Sequence, residues 1–323
     1  MSPKVFVIVI NWNRERDTVA CLDSMLLLDY QNCHVLLSDN GSRPESLEVL
    51  RRWKADRLAA GQSSGIASLE ILENGRNLGF TGANTVGIKY ALEHGADYVL
   101  FLNNDTLVTP GFLTKMVAAA EADSTVGIVG CKIFHTDPDQ QGRRTIWSLG
   151  GYSFVRGMPL NIGAGCYDKS EWTGVREQPL INGCCMLIRR GVIETVGVQD
   201  DELFFGMDDV DYSLRASRYG WKNIAVLDAV IYHASAQSVV PRSGLQVYYL
   251  FRNVLQLRTR NFPWYRNLAF FSFFSIRYVA AGSFYRWVTG RGRVNRGVYF
   301  AIVDFLRGRT GECPHLQTLA GKR

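Results

Sequence analysis

The first 122 residues alternate between short apolar runs and amphipathic stretches, and this order restricts the fold more than any other feature. The apolar runs predict buried strands at residues 5–10, 34–38, 69–72 and 98–102. The intervening stretches predict helices at residues 17–28, 46–60, 82–95 and 110–122. Because each helix returns the chain to the same end of the sheet, consecutive strands become parallel. The pattern predicts an α/β fold with a mostly parallel, doubly wound sheet.

The pattern changes after residue 126, where short apolar runs are separated by long loops. Strands are expected at residues 127–134, 145–155 and 183–189, as antiparallel additions to the sheet near the substrate. Residues 208–219 predict a helix, and two further strands are expected at 223–226 and 230–232. We therefore expect a catalytic domain at residues 1–242 and a helical region at residues 243–323.

Polar side chains follow three of the predicted parallel strands. They are Asn11 to Asn13 after the first strand, Asp39 to Ser42 after the second, and Asn103 to Asp105 after the fourth. The carboxyl ends of parallel strands meet at one edge of a sheet, which is where open α/β sheets bind ligands. Taken alone, Asp105 could merely open a turn, but three polar strand ends together predict a binding cleft.

A glycine-rich loop with Gly79 and Gly82 leads into the third predicted helix. Glycine lets the backbone approach a ligand closely, and the amides at a helix start favour an anion. The loop is neither a Walker sequence nor G-x-G-x-x-G, which argues against an ATPase or a dinucleotide-binding enzyme. The sequence therefore predicts an anionic ligand of another kind.

The C-terminal region differs sharply in charge from the rest of the chain. Residues 242–323 carry 14 basic and 2 acidic residues, and 17 of the chain's 38 aromatic residues lie at 248–305. An apolar stretch at 268–276 is interrupted by Arg277, which makes it a poor transmembrane span. Interleaved arginines and aromatic residues are typical of helices that lie on a membrane surface. A helical layer packed on the sheet or a homo-oligomer interface is the alternative, whereas the basic charge alone gives little support for nucleic-acid binding.

The seven cysteines are odd in number and form no C-x-x-C pair, which argues against a disulfide framework and a zinc site. The first apolar run ends after six residues, at Asn11, and is too short for a signal peptide. We expect a cytoplasmic protein with reduced thiols, located peripherally at the inner face of the cell membrane.

Several motifs, in this order, resemble those of the family 2 inverting glycosyltransferases, most closely the bacterial rhamnosyltransferase-like branch. The motifs are Val-Ile-Asn-Trp-Asn (9–13), Ser-Asp-Asn-Gly-Ser (38–42), Asn-Leu-Gly-Phe-Thr-Gly-Ala-Asn (77–84), Leu-Asn-Asn-Asp-Thr (102–106), Asn-Gly-Cys-Cys-Met (182–186), Phe-Phe-Gly-Met-Asp-Asp-Val-Asp (204–211), Arg215 with Tyr-Gly-Trp (219–221), and Tyr-His (232–233). The resemblance covers roughly residues 4–240. It implies a glycosyltransferase A-type (GT-A) fold that binds a nucleotide-diphosphate sugar.

The resemblance also implies roles for individual residues on the donor side. Asp39 matches the carboxylate that binds the pyrimidine base, and Asn11 and Asn13 line the nucleoside pocket. The remaining residues of the donor site are Asn77, Gly79, Asn84 and Asn104.

Asp105 matches the last acid of the family's metal-binding D-x-D motif, which here reads Asn103-Asn104-Asp105. A single carboxylate weakens the affinity for Mg²⁺ or Mn²⁺, because these ions prefer hard oxygen ligands. Phosphates of the nucleotide and His233 could complete the set of ligands. We expect a divalent metal cofactor, although His233 could instead be a structural histidine.

Asp208 and Asp209 fall where the family pattern has Glu-Asp, and the resemblance makes Asp209 the general base. Acids in a first helical turn are also favoured by the helix dipole without any catalytic role. Asp211 could pair with Arg215 one helical turn later. The shorter Asp208 replaces the usual Glu, so Asp208 is the alternative base.

On the acceptor side, Gly183 and Met186 are predicted to shape the pocket, and Trp172 or Trp147 to stack on an acceptor sugar. Cys184 and Cys185 in the same stretch are expected to be buried packing groups rather than nucleophiles. Either tryptophan could equally belong to the core.

The sequence thus predicts a metal-dependent inverting transferase that moves L-rhamnose from dTDP-L-rhamnose onto a lipid-linked or polysaccharide acceptor. A UDP-hexose donor is the first alternative, and a catalytically silent protein that binds sugar nucleotides is the second. A nucleotidyltransferase is disfavoured, because the first strand is followed by Asn-Trp-Asn-Arg and not by a glycine-rich basic loop.

Overall fold

The computed structural model describes residues 2–59, 65–155, 158–234, 243–290 and 292–319. Its strands are β1 (Val5–Asn11), β2 (Cys33–Asp39), β3 (Ser68–Glu73), β4 (Tyr98–Leu102), β5 (Thr106–Val108), β6 (Val126–His135), β7 (Ile146–Ser148), β8 (Tyr152–Val155), β9 (Met158–Asn161), β10 (Val175–Glu177), β11 (Cys185–Arg189) and β12 (Lys222–His233). Its α-helices are α1 (Glu15–Met25), α2 (Pro44–Ala59), α3 (Gly79–Glu93), α4 (Phe112–Glu121), α5 (Arg190–Val196), α6 (Asp208–Arg218), α7 (Gly244–Asn261), α8 (Trp264–Phe274), α9 (Ala281–Val288), α10 (Gly292–Leu306) and α11 (Leu316–Leu319).

The main sheet has the strand order β10-β12-β6-β11-β4-β1-β2-β3. In addition, β5 pairs with β12 and β7 pairs with β6. The first four strands of the chain are parallel, as the alternation predicts. Strand β11 is inserted antiparallel beside β4, whereas β6 and β12 run parallel to each other. The result is a mostly parallel sheet with antiparallel additions, in agreement with the prediction.

The core lies on both faces of this sheet, because side chains along a strand point alternately to opposite sides. In β1, Val5, Val7 and Val9 pack into the cluster on one face, and Phe6 and Ile8 pack into the cluster on the other face. All five side chains are buried, which explains why β1 is a continuous apolar run and not an alternating one. The sheet therefore forms a rigid support for the loops at its edge.

Two predicted elements differ from the structure. The stretch 145–155 is two strands, β7 and β8, because Gly150 between them adopts a φ of +84° that turns the chain. Conversely, the two strands expected at 223–226 and 230–232 are one strand, β12, with a register shift against β6 between Val226 and Val230. At such a bulge the strand continues, although the hydrophobic pattern of the sequence is interrupted there.

The C-terminal region is helical, as predicted, and has its own apolar cluster built largely from α7, α8 and α10. Ser243 begins α7 with a capping box, in which its side chain and that of Gln246 each accept a backbone N–H. The proposed domain boundary at residue 242 lies outside the described residues. A π-helical segment, Ser275–Ala280, joins α8 to α9. In the described part of the chain, one continuous helical stretch, Trp264–Tyr285, has the length and apolar composition to cross a membrane, and it is mostly exposed.

Candidate active site

The ends of β1 and β2 carry a buried polar network on the sheet edge. Asn11 Nδ2 donates to Asp39 Oδ1 at 3.0 Å and to Ser42 Oγ at 2.9 Å. Thr18 Oγ1 donates to Asn11 Oδ1 at 2.9 Å and accepts from Asn104 Nδ2 at 2.9 Å. The network therefore joins three residues predicted for the donor site, Asn11, Asp39 and Asn104, which lie at or just after the ends of β1, β2 and β4.

Asn13 and Asp39 shape the loop that follows β2. Asn13 adopts a φ of 55°, and its Oδ1 accepts the backbone N–H of Arg43 at 2.8 Å. Asp39 Oδ2 accepts the backbone N–H of Ser42 at 3.0 Å. The contact between Asn13 and Arg43 ties the first two loops together, whereas the one between Asp39 and Ser42 fixes the turn after β2.

The glycine-rich loop contacts Asn40, after β2, and Phe204, in the segment before α6. Asn77 Oδ1 accepts from Asn40 Nδ2 at 3.0 Å and from the amide of Gly79 at 2.8 Å. Gly79 has a φ of +76°, and a Cβ on it would lie 2.4 Å from the carbonyl oxygen of Phe204. Only glycine fits this close approach. Asn84, one turn further along α3, is fully buried, and its side-chain atoms have no partner among the described residues.

Asp105 and His233 form a pair beside the donor edge. His233 Nε2 lies 2.9 Å from Asp105 Oδ1, and the indole of Trp147 meets the imidazole edge-on at 4.5 Å between ring centres. Strands β5 and β12 bring the two residues together, because Thr106 pairs with His233. Burial raises the pKa of Asp105, but the hydrogen bond and charge of His233 outweigh this, so that the pKa falls below its usual value. This carboxylate is therefore ionised at neutral pH.

The described side chains form at most part of a metal site. No cluster of three or more His, Cys, Asp or Glu residues suited to a metal occurs within the described ranges. Asp105 Oδ1 and His233 Nε2 lie 2.9 Å apart, and Mg²⁺ commonly binds through one or two protein groups together with substrate phosphates. The two residues thus fit a metal that is held jointly with a nucleotide.

Asp208 and Asp209 begin α6, and both are buried. Burial and the neighbouring charge of Asp209 raise the pKa of Asp208 to about 8. Burial also raises the pKa of Asp209, but hydrogen bonds oppose this rise. These come from the Tyr152 hydroxyl at 2.7 Å and the amides of Gly183 and Val210 at 2.8 Å each. Two close buried acids titrate as a pair. The three hydrogen bonds that stabilise the Asp209 carboxylate lead us to infer that Asp209 ionises before Asp208.

The predicted acceptor residues are placed very differently from one another. Gly183 contacts Asp209 directly, and a Cβ at Gly183 would lie 3.0 Å from the Cβ of Asp209. Met186 is fully buried in the core beside Phe101, its partner in the sheet, so it presents no surface to an acceptor. Trp172 packs against the small apolar cluster of Ile146, Leu149, Ala225 and Leu227.

Cys184 and Cys185 are buried, as predicted for packing groups. Burial raises the pKa of the Cys184 thiol well above its usual range. Because the thiolate is the nucleophilic form, a thiol in this setting is inert.

Tyr152 is a site residue that the sequence did not reveal. It lies on β8, far from α6 in sequence, and its hydroxyl donates to Asp209 Oδ2. We expect Tyr152→Phe to raise the pKa of Asp209, because it removes a donor that stabilises the carboxylate. The acidic limb of the pH profile of kcat/KM should then move to higher pH. At pH values above that limb, kcat/KM should fall much less.

Tyr167→Phe is the matched control, since the Tyr167 hydroxyl donates to the partly exposed Asp139 and not to the buried acid pair. Its profile should coincide with that of the wild type. A Tyr152→Phe profile that also coincides with the wild type would exclude Tyr152 from the ionisation of Asp209.

The sequence model of "Glycosyl transferase family 2" matches residues 6–197, which is more than half of the chain. The chain belongs to this family. The match includes all three polar strand ends, the glycine-rich loop and Gly183, and it ends shortly before the acid pair. The resemblance drawn from the motifs is therefore confirmed.

Curated relatives of this family 2 member include rhamnosyltransferases. The dTDP-rhamnosyl transferase RfbF of Shigella flexneri is 24% identical over 269 residues, covering 81% of this chain and 82% of that protein. The N-acetylglucosaminyl-diphospho-decaprenol L-rhamnosyltransferase of Mycobacterium tuberculosis is 28% identical over 265 residues, covering 76% and 81%. The O-antigen biosynthesis protein RfbC of Myxococcus xanthus is 28% identical over 242 residues, covering 73% of this chain but only 18% of RfbC. These similarities support the rhamnosyltransferase-like branch.

Solved structures support the GT-A fold. The mannosyltransferase PcManGT from Pyrobaculum calidifontis, in complex with GDP-Man and Mn²⁺, gives a TM-score of 0.55 at 19% identity. The match covers 80% of this chain and 64% of PcManGT. GalNAc-T7 with UDP, GalNAc and Mn²⁺ gives a TM-score of 0.58 at 15% identity, over 79% of this chain and 48% of GalNAc-T7. At these identities the likeness concerns the fold alone.

Proposed function

We propose that this glycosyltransferase moves L-rhamnose from dTDP-L-rhamnose, with inversion, onto a lipid-linked or cell-surface polysaccharide acceptor. The observation that carries the proposal is the buried Asp208–Asp209 pair, which begins α6 beside Gly183. The names of the two rhamnosyltransferase relatives support the choice of sugar. A UDP-hexose donor is the alternative, because the polar edge formed by Asn11 and Asp39 can bind either pyrimidine.

The chemistry follows from one ionised and one protonated acid. Asp209 accepts the proton of an acceptor hydroxyl while the oxygen attacks the anomeric carbon of the donor sugar. The nucleoside diphosphate departs from the opposite face, so a single displacement inverts the anomeric configuration. The Tyr152 hydroxyl and the Gly183 amide orient the carboxylate for this step.

The donor diphosphate is assigned to the region between the glycine-rich loop and Asp105. The amides at the start of α3 favour an anion. A divalent metal held by Asp105 and His233 together with the phosphates would neutralise the charge that develops on the leaving group. Asn104 Nδ2 donates a hydrogen bond to Thr18 Oγ1. Asn104 thus links the neighbouring Asp105 to the nucleoside side of the pocket.

The donor is tested by thermal denaturation with a panel of nucleotides and sugar nucleotides, each with and without Mn²⁺ or Mg²⁺. A ligand that binds the folded state raises the melting temperature by mass action. We expect a metal-dependent rise with dTDP and dTDP-L-rhamnose. A rise with only one UDP-sugar would select the alternative donor, and no rise with any pyrimidine diphosphate would contradict the proposed function.

We further propose that residues 243–323 form a region that binds the inner face of the cell membrane peripherally. Trp264, Leu268, Ile276 and Trp287 are all more than 60% exposed, although they are large and apolar. Several large apolar side chains exposed on one stretch of the chain indicate an interaction surface. The surrounding excess of arginine favours anionic lipid, near which a lipid-linked acceptor would be found.

We expect the protein to co-sediment with vesicles of anionic phospholipid, and Trp264→Ser with Trp287→Ser to weaken this binding at least tenfold. Both indoles are exposed, so the double variant should keep its fold. Tyr219→Ser is the control, because Tyr219 is 65% exposed on the catalytic part of the chain. Equal vesicle binding by the double variant and the wild type would exclude this surface and leave an oligomer interface as the alternative.

A further inference from the structure

The loop that leads into the acid pair has an unusual backbone. Phe204 and Met207 adopt φ angles of 59° and 69°, although neither is glycine. A bulky residue with positive φ costs free energy and persists only where its surroundings hold it in place. We call residues 202–207 the acid loop, because Asp208 and Asp209 follow it directly. The strained backbone of this loop needs support from other parts of the chain.

The support comes from two adjacent side chains of α7 in the C-terminal region. Asn253 Nδ2 lies within hydrogen-bond distance of the carbonyl oxygens of Leu203 (2.9 Å), Phe205 (3.0 Å) and Gly206 (2.9 Å). Arg252 Nη2 donates to the carbonyl oxygens of Leu203 at 3.1 Å and Glu202 at 3.3 Å. Four carbonyls of the acid loop are thus held by two neighbouring residues.

The same loop contacts the donor side of the site. The Phe204 carbonyl accepts the amide of Phe80 at 2.7 Å, and it occupies the space that a side chain at Gly79 would need. The Phe204 ring stacks on Tyr249 of α7, with 5.4 Å between ring centres. The acid loop is therefore fixed between the glycine-rich loop and the C-terminal helix.

The burial of Arg252 argues for a specific role. It has no exposed surface, and the hydrogen bonds of its guanidinium go mainly to carbonyl oxygens, including that of Gly311 at 2.7 Å. Its Nη1 also lies 3.3 Å from the Tyr248 hydroxyl, which donates to the buried Asp304 at 2.9 Å. Burying a charge is expensive, and an apolar side chain would hold a helix in place at lower cost. What the guanidinium adds is a fixed fork of donors that holds several carbonyls at once.

We propose that Arg252 and Asn253 are positioning residues, which hold the acid loop so that Asp209 faces the reacting hydroxyl. The C-terminal region is then part of the catalytic unit and not only a surface for membrane contact. This inference rests on the proposed function, because it takes Asp209 as the base.

The test compares full-length Asn253→Ala with Asn261→Ala in donor kinetics. Asn261 lies on the same helix, but among the described residues its side-chain Nδ2 donates to Leu257 alone, within that helix. We expect Asn253→Ala to lower kcat at least tenfold while the KM for the donor sugar nucleotide changes less than threefold. Asn261→Ala should keep the wild-type kcat. Melting temperatures of all variants establish that each is folded at the assay temperature.

Arg252→Lys is the second variant, and it decides the matter if Asn253→Ala does not fold. Lysine keeps the charge but not the planar fork, so it cannot hold the same carbonyls together. We expect a tenfold or larger fall in kcat for this variant in a folded protein. A wild-type kcat in folded Asn253→Ala, or in folded Arg252→Lys where the former does not fold, would overturn the inference. A wild-type protein without transferase activity would instead contradict the proposed function.

Discussion

Asp209→Asn is expected to lower kcat by about 10²- to 10⁴-fold, the range over which a general base contributes. The change removes the proton acceptor, while the amide oxygen can still accept from the Tyr152 hydroxyl and the Gly183 amide. Donor binding should not change, because the proposed function assigns Asp209 to the acceptor side of the site. Steady-state turnover and the nucleotide-induced rise in melting temperature measure the two quantities separately.

Two neighbouring acids serve as controls for this prediction. Asp211 is as buried as Asp209 and lies on the same helix, but it pairs with Arg215 at 2.7 Å. Asp211→Asn should therefore lose much less turnover than Asp209→Asn. If Asp208→Asn were instead the inactive variant and Asp209→Asn retained turnover, the base would be Asp208.

Asp105→Asn is expected to abolish the metal-dependent part of the rise in melting temperature with the donor nucleotide. The carboxylate is the one acidic ligand assigned to the metal, and an amide is a far weaker ligand for Mg²⁺ or Mn²⁺. We expect kcat/KM to fall by about 100-fold or more, because leaving-group stabilisation by a metal contributes several kcal/mol. Each rise is measured relative to the same variant without ligand, so the lost contact with His233 does not affect the comparison.

Asp123→Asn is the control for this second prediction. Asp123 pairs with Lys222 at the opposite edge of the sheet, just before β6 begins. This variant should keep the full metal-dependent rise. A normal rise in Asp105→Asn would exclude Asp105 as a metal ligand and leave its contact with His233 as a structural one.

The fold was largely predictable because its main signals are local in sequence. Buried parallel strands read as continuous apolar runs, and helix periodicity separates them, so β1 to β4 were predicted in order. The polar strand ends could be grouped in advance, since parallel strands share a direction. The structure joins Asn11, Asp39 and Asn104 in one hydrogen-bonded network on that edge.

The contacts around the acid pair were not predictable, because they join segments far apart in sequence. Nothing in the stretch around Tyr152 indicates that its hydroxyl meets Asp209, and the sequence gives no sign that α7 supports the acid loop. Met186 was assigned to the acceptor pocket by its motif, but β11 is covered on both faces, so the Met186 side chain lies in the core. Motifs locate a site, whereas the direction of each side chain depends on the register of its strand.

The most direct test of the central account is the anomeric configuration of the product, determined by NMR after reaction with dTDP-L-rhamnose and a lipid-linked acceptor sugar. The account predicts a new rhamnosyl linkage whose anomeric configuration is opposite to that of the donor, formed by the wild type and nearly absent with Asp209→Asn. A product that retains the configuration of the donor, or equal product from Asp209→Asn, would contradict a single displacement driven by this base.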